Sequence, residues 1–297
     1  MANELLIAMI AGIGGMFGWG FADFAAKKTV DKIGAVSSLV WAHVFGTSIL
    51  LVFVLLNTFI FNNPFTAPFN AVDWIGLVFF GTLQTVVYLF VYKGFEKGKV
   101  SILSPILASY TGLVALLSVI VFGEVLKVNL IPALFFIFSG VLLINLDPAG
   151  WGSKRISIIA TPGIKEIAIA TVLATIWTLG WDNFTSGKDW VSYTFLMYAF
   201  MALSAYGIAK FQKIELKDVK KGAWPFLWLI GLGEAIAYLA ISLGYANTSF
   251  TSVIALLSGA FSLPVIILAV IFLKEKITKL QIIGALIVIT GIILISL

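Results

Sequence analysis

Cysteine is absent from the 297 residues, His43 is the one histidine, and only 11% of the side chains are charged. Without thiols there are no disulfides, thiolate metal sites or cysteine nucleophiles, and the redox compartment stays open. One imidazole cannot assemble a histidine-based metal centre, so neither metal nor cofactor is expected. Enzyme chemistry also lacks its usual materials. No Ser–His pairing, His-rich cluster or paired carboxylates gather near one face, as hydrolysis or group transfer would ordinarily need. The chain is not read as an enzyme.

Apolar surface is what the sequence has in excess. Apolar residues make up 61% of the chain and mean hydropathy is +1.08, more than a single aqueous globule can hide. The expectation is an integral membrane protein with the lipid bilayer as its main surroundings. A net charge of +5 does not point to nucleic acid, because the Lys and Arg stand in short clusters between apolar runs rather than in one patch. The first apolar run lacks a basic flank and carries Gly18-Trp19-Gly20 and Asp23 instead of a small-residue cleavage site. It reads as a retained helix, not a signal peptide.

A bilayer is crossed by runs of about 20 apolar residues, and ten are read here: Glu4–Ala26, Ile33–Phe61, Val72–Tyr92, Val100–Phe122, Asn129–Leu146, Ile164–Thr185, Trp190–Ala209, Ala223–Leu243, Thr251–Leu273 and Thr278–Leu297. The two longest connections are Asn62–Ala71 and, at the midpoint, Asp147–Gly163. The halves on either side of that midpoint match. At an offset of 150, Trp74, Gly81, Gln84, Tyr88 and Gly94 meet Trp224, Gly231, Glu234, Tyr238 and Gly244. At 160, Gly20, Asp23 and Phe24 meet Gly180, Asn183 and Phe184, and at 151, Glu124 meets Glu275. The fold class expected is all-α, ten transmembrane helices in two inverted five-helix repeats: residues 1–146, a linker 147–163, and residues 164–297.

Five spans per repeat put the second copy upside down, and the basic residues agree. Of the 19 Lys and Arg, all but Lys127 and Lys188 fall in odd-numbered connections or, as Lys165 and Lys279 do, at the edge of a span beside one. The positive-inside rule then places odd connections in the cytoplasm and both termini outside, in a membrane expected to be a prokaryotic plasma membrane. Inverted repeats of this kind are a transporter architecture with the substrate near the midplane.

The chain resembles the drug/metabolite transporter superfamily, in particular its ten-span proteins with two EamA-like repeats. The resemblance rests on Gly18-Trp19-Gly20 in span one, Gly123-Glu124 closing span four, Lys274-Glu275 closing span nine, and the Gly-rich last span of each half. It departs in the second copy, where Leu179-Gly180-Trp181 replaces the usual Trp-Gly pair. The resemblance implies secondary transport of a small organic solute through a cavity lined by spans one, three, four, six, eight and nine. The superfamily's solutes include amino acids, sugars, nucleotide sugars, phosphorylated sugars and quaternary amines.

Within that frame the candidate substrate-binding residues are Glu234, Gln84, Tyr88, Tyr238, Trp19 and Trp177. Glu234 is an acid in the middle of an apolar run, where an ionisable group costs roughly 2.5 kcal/mol or more and is a functional candidate by default. Its repeat partner is an amide, Gln84, and one turn on stand Tyr238 and Tyr88. An acid among aromatic rings suits a cationic amine, which ring faces attract by about 0.5–2 kcal/mol. Glu234 and His43 form a candidate proton relay, which makes the proton the candidate coupling ion. Asp23 and Asp182-Asn183, near the ends of spans one and six, read as interfacial caps or partners of Lys27 and Lys188 ahead of any gating role. Glu124 and Glu275 read as packing or gating pairs. Gly14 and Gly18 have the Gly-x-x-x-Gly spacing of close-packed membrane helices, and Pro105 and Pro264 are expected to kink spans four and nine.

The leading reading is an alternating-access carrier of an amine-bearing or zwitterionic metabolite, an amino acid or quaternary amine, working as monomer or homodimer. Neutral or anionic solutes such as sugars or nucleotide derivatives are the alternative, and a lipid-handling protein a weaker one. A channel would repeat a charged ring or carbonyl filter around a pore, and one asymmetric acid does not. The topology is testable: a C-terminal reporter that is active only outside the cytoplasm should give signal, and a cytoplasmic signal would overturn the assignment.

Overall fold

The computed structural model describes residues 2–97, 100–126, 128, 130–145, 162–216, 219–273 and 278–296. Most of the midpoint linker, Lys127 and Glu275 lie outside the described residues. Within them all regular structure is helical: α1 (Ala2–Ile33), α2 (Ala35–Phe59), α3 (Ala71–Lys97), α4 (Val100–Phe122), α5 (Leu130–Asn145), α6 (Ile164–Thr185), α7 (Trp190–Phe211), α8 (Trp224–Asn247), α9 (Thr251–Gly259), α10 (Ser262–Leu273) and α11 (Lys279–Ser296). A 3-10 turn at Lys221–Ala223 leads into α8.

Seven stretches are long and apolar enough to cross a membrane, five of them within single helices, a sixth formed by α8 with the 3-10 turn before it and the seventh Thr251–Phe272, while α4, α5 and α11 contribute shorter apolar segments. Two expectations need correction. The ninth span is not one helix, because α9 ends at Gly259 and α10 restarts at Ser262. Pro264 is the reason. It has no N–H to give the carbonyl of Ala260, and its ring crowds that oxygen, which instead accepts from Leu263 N at 2.9 Å. In α4, by contrast, the helix runs on through Pro105. The first helix is also longer than the apolar run that marks it. Because α1 continues to Ile33, Asp23 sits more than two turns inside it rather than at its end.

Contacts between helices come in matched pairs. α1 packs on α8 as α3 packs on α6, α2 on α8 as α3 on α7, and α1 on α9 as α4 on α6, while α2 meets α7, α4 meets α9 and α5 meets α11. Repeat-matched glycines follow the same rule. A Cβ on Gly81 would strike α7 at the Met197 carbonyl, 2.7 Å away, and one on Gly231 would strike α2 at Gly46 N, 2.6 Å away. Side chains facing out, such as Leu6, Ile10, Val52, Ile75, Phe79 and Leu116, are apolar and exposed, as contact with hydrocarbon requires.

The tightest of these seams joins α1 to α8. A Cβ on Gly18 would lie 2.5 Å from the Gly233 carbonyl oxygen, and a Cβ on Gly233 would lie 2.5 Å from that of Gly18. Only two glycines let the backbones approach this closely. One residue further on stand Trp19 and Glu234, so this seam fixes the relative positions of the ring and the acid.

Gly18→Ala and Gly233→Ala must therefore push two backbones apart, an overpacking penalty of about 1–3 kcal/mol. Gly207 in α7 has nothing within 4 Å of a built Cβ, so Gly207→Ala should leave stability unchanged or raise it by up to about 1 kcal/mol. Thermal unfolding of the three purified variants checks the contrast.

Candidate functional site

Glu234 is 1% exposed and His43 fully buried. α8 presents Glu234 to α2 and α7, where Tyr198 donates its hydroxyl to Glu234 Oε2. His43 Nε2 lies 3.7 Å from the same oxygen. The other imidazole nitrogen, Nδ1, is 2.6 Å from the Leu39 carbonyl. A carbonyl only accepts, so Nδ1 carries a hydrogen, and in the neutral ring Nε2 is a lone pair facing the carboxyl. Nε2 has no hydrogen-bond partner of its own among the described residues. The His43 ring is enclosed by Tyr88 and Tyr198, at centroid distances of 5.8 and 5.2 Å.

Gln84 does not face Glu234. Its Nε2 donates to Tyr238 Oη at 2.7 Å, and Tyr238 in turn donates to Tyr88 Oη at 3.3 Å. The repeat-equivalent tyrosines therefore do meet, as a hydrogen-bonded pair. Tyr238 is fully buried and is the hub of an aromatic cluster, with Trp19, Trp177 and Tyr198 packed edge-on at 5.8, 5.7 and 5.5 Å. Trp177 anchors this cluster by donating Nε1–H to the Phe80 carbonyl at 3.0 Å.

A cavity of about 60 Å³ opens beside the cluster, walled by α1, α3, α4 and α6 and closed by Phe261 between α9 and α10. Trp19, Gln84, Tyr88 and Trp177 are on its wall; Glu234, Tyr238 and His43 are not. Asp23 is there instead. Sequence reasoning set Asp23 aside as an interfacial cap because the apolar run ends at Ala26, and the helix does not. A signal was available: Asp23 lies four residues, one helical turn, beyond Trp19. Tyr110 of α4, also on the wall, carried no signal because its repeat neighbourhood holds no second tyrosine.

Asp73, Asp182 and Glu124 are each bonded to residues distant in the chain. Lys188 pairs with Asp73 at 2.6 Å, not with Asp182, whose carboxylate accepts from the Thr251 hydroxyl. Glu124 accepts from Ser252 N at 3.0 Å and Ser252 Oγ at 2.5 Å, capping the start of α9 from the end of α4. Burial holds the Glu124 carboxyl above its ordinary pKa, with the Ser252 and Ser118 bonds working against that. Both acids face a wider opening of about 940 Å³ at the end of the bundle.

The family's sequence model matches residues 6–146 and again residues 161–297. The chain belongs to the EamA-like transporter family. The match covers both halves of this transporter and supports a multi-pass membrane protein that moves small molecules. No curated protein matches it. A solved structure described only as the crystal structure of a protein is similar over 97% of this chain and 95% of that one, with a TM-score of 0.77 and 14% identity. At that identity the likeness speaks for the fold alone.

The Gln84–Tyr238 bond is open to a direct test. Tyr238→Phe leaves the buried amide without its acceptor, which should lower stability by about 1–3 kcal/mol, while Gln84→Leu with Tyr238→Phe should lose less than the sum of the single changes. Strictly additive unfolding energies would mean that the bond carries no weight.

Proposed function

We propose that this EamA-family protein is an alternating-access secondary carrier of a small amine-bearing or zwitterionic metabolite, with a proton as the coupling ion. The observation that carries this reading is the central cavity. Its wall is drawn from both halves of the chain and combines aromatic rings with one carboxylate, Asp23. Ring faces attract ammonium groups, and a desolvated acid supplies the counter-charge. Among the described residues the wall holds no Lys, Arg or His, which disfavours anionic solutes.

The proton is assigned to Glu234 and His43. A lone carboxylate buried in a membrane protein is expensive, and beside the Tyr198 hydroxyl bonded to it stands an imidazole whose free nitrogen faces it. The pair holds one proton and can lose it without losing the Tyr198 bond. The matched helix contacts support two inverted repeats that rock about this region. On this reading Glu234 acts beside the solute site rather than on its wall, through Tyr238 and Tyr88, while Gln84, Trp19 and Trp177 shape the wall itself.

Purified protein in proteoliposomes tests this. Saturable counterflow of an unmodified amine is expected, and an imposed pH gradient should drive its accumulation. Glu234→Gln should keep counterflow and lose gradient-driven accumulation by about tenfold or more, the equivalent of 1.4 kcal/mol of coupling. Sugar counterflow indifferent to Glu234→Gln, or chemical conversion of the solute, would sink the proposal.

A further inference from the structure

We propose that Asp23 receives the solute's positive charge, and that this charge is an ammonium bearing N–H groups, not a quaternary one, on a solute that also carries an acceptor oxygen. The inference deepens the carrier reading above and rests on it.

Three features of the wall lead there. Asp23 has no hydrogen-bond or ion-pair partner among the described side chains, and it is the one charged residue they contribute to the cavity. Gln84 is 6% exposed and has committed its NH2 group to Tyr238. Its Oε1, buried, accepts from nothing. Trp19 Nε1 is likewise buried and donates to nothing. The neighbouring Trp177 and Trp181 do find acceptors, in the Phe80 carbonyl and Ser242 Oγ, both at 3.0 Å. An unpaired buried acceptor and an unpaired buried donor, on two residues that share one cavity wall, are the complement of a ligand with a donor and an acceptor.

The rings alone do not decide between amines, because Trp19, Trp177, Tyr88 and Tyr110 would attract a quaternary ammonium as well. Gln84 Oε1 does decide. A quaternary nitrogen has no hydrogen to give it and would bury the amide oxygen unpaired, whereas a primary or secondary ammonium can bond both Asp23 and Gln84. Trp19 Nε1–H then needs an oxygen on the same solute, a carboxylate or a hydroxyl. The cavity's 60 Å³ holds only about four to six waters at 10–15 Å³ each, which favours a short molecule. Glu234 is not a competitor for the charge, since it is off the wall and bonded to Tyr198.

Binding to the purified full chain, measured by calorimetry with thermal shift alongside, tests this with two matched pairs of probes: glycine against glycine betaine, and 2-aminoethanol against choline. The N–H member of each pair should bind about tenfold or more tightly than its N-methylated partner, the loss expected for hydrogen bonds to a charged group. Asp23→Asn should remove binding of all four, and Glu234→Gln should leave the preference intact. Methylamine, a fifth probe that lacks the acceptor oxygen, should bind more weakly than glycine, and Trp19→Phe should erase that difference, a readout that does not depend on how well Asp23→Asn folds. Equal or tighter binding of betaine and choline overturns the inference while leaving an amine carrier standing. So does binding lost in Glu234→Gln but kept in Asp23→Asn. Binding of sugars alone defeats the inference and the carrier reading together, and no binding by any of the four probes counts against the inference as stated.

Discussion

Where α1 crosses α8, no side chain separates the two backbones: Gly18 and Gly233 each occupy the space that the other's Cβ would need. The arrangement of the candidate site follows from this contact. It sets the turns of α1 that carry Trp19 and Asp23 against the stretch of α8 that carries Glu234 and Tyr238. Apolar packing is a weak guide between helices in lipid, since hydrocarbon tails are as apolar as Leu; close approach and buried hydrogen bonds take over. Here both devices are used, glycines at the seam and a network of Tyr, Gln, His and Glu beside it.

That network divides the two acids. Glu234 is sealed against α2 and α7 by Tyr198 and His43, whereas Asp23 opens to a cavity walled by rings. A carrier that exchanges a proton for an organic cation needs two such places, close enough to influence each other and distinct enough to be filled separately. Tyr238 stands between them, packed on Trp19 and Trp177 on the cavity side and on Tyr198 on the Glu234 side. The coupling free energy must pass through contacts of this kind if loading one site is to bias the other.

Much of this was legible in the sequence, because period and offset survive without coordinates. The apolar runs gave most of the helices to within a few residues, the 150-residue offset matched Tyr88 with Tyr238 as a symmetric pair, and an acid in an apolar run identified Glu234 as special. Other features were hidden for physical reasons. Glu234's strongest partner, Tyr198, lies 36 residues away on a different helix, and nothing in either repeat points to it. Asp23 was misplaced because hydropathy ends where lysines begin, while backbone hydrogen bonding carries α1 on to Ile33. The division of span nine was half visible in Pro264, yet Pro105 shows that a proline in an apolar run does not by itself end the helix.

The most direct test of the Glu234–His43 assignment is infrared difference spectroscopy of the purified protein, following the C=O stretch of a protonated carboxyl as pH is varied and amine is added. One band should vanish in Glu234→Gln, change its titration in His43→Asn, and respond to saturating amine in wild type but not in Asp23→Asn. A Glu234 that shows no protonated band at any pH at which the protein is folded, or one indifferent to both His43 and the amine, would contradict a shared, exchangeable proton at this site.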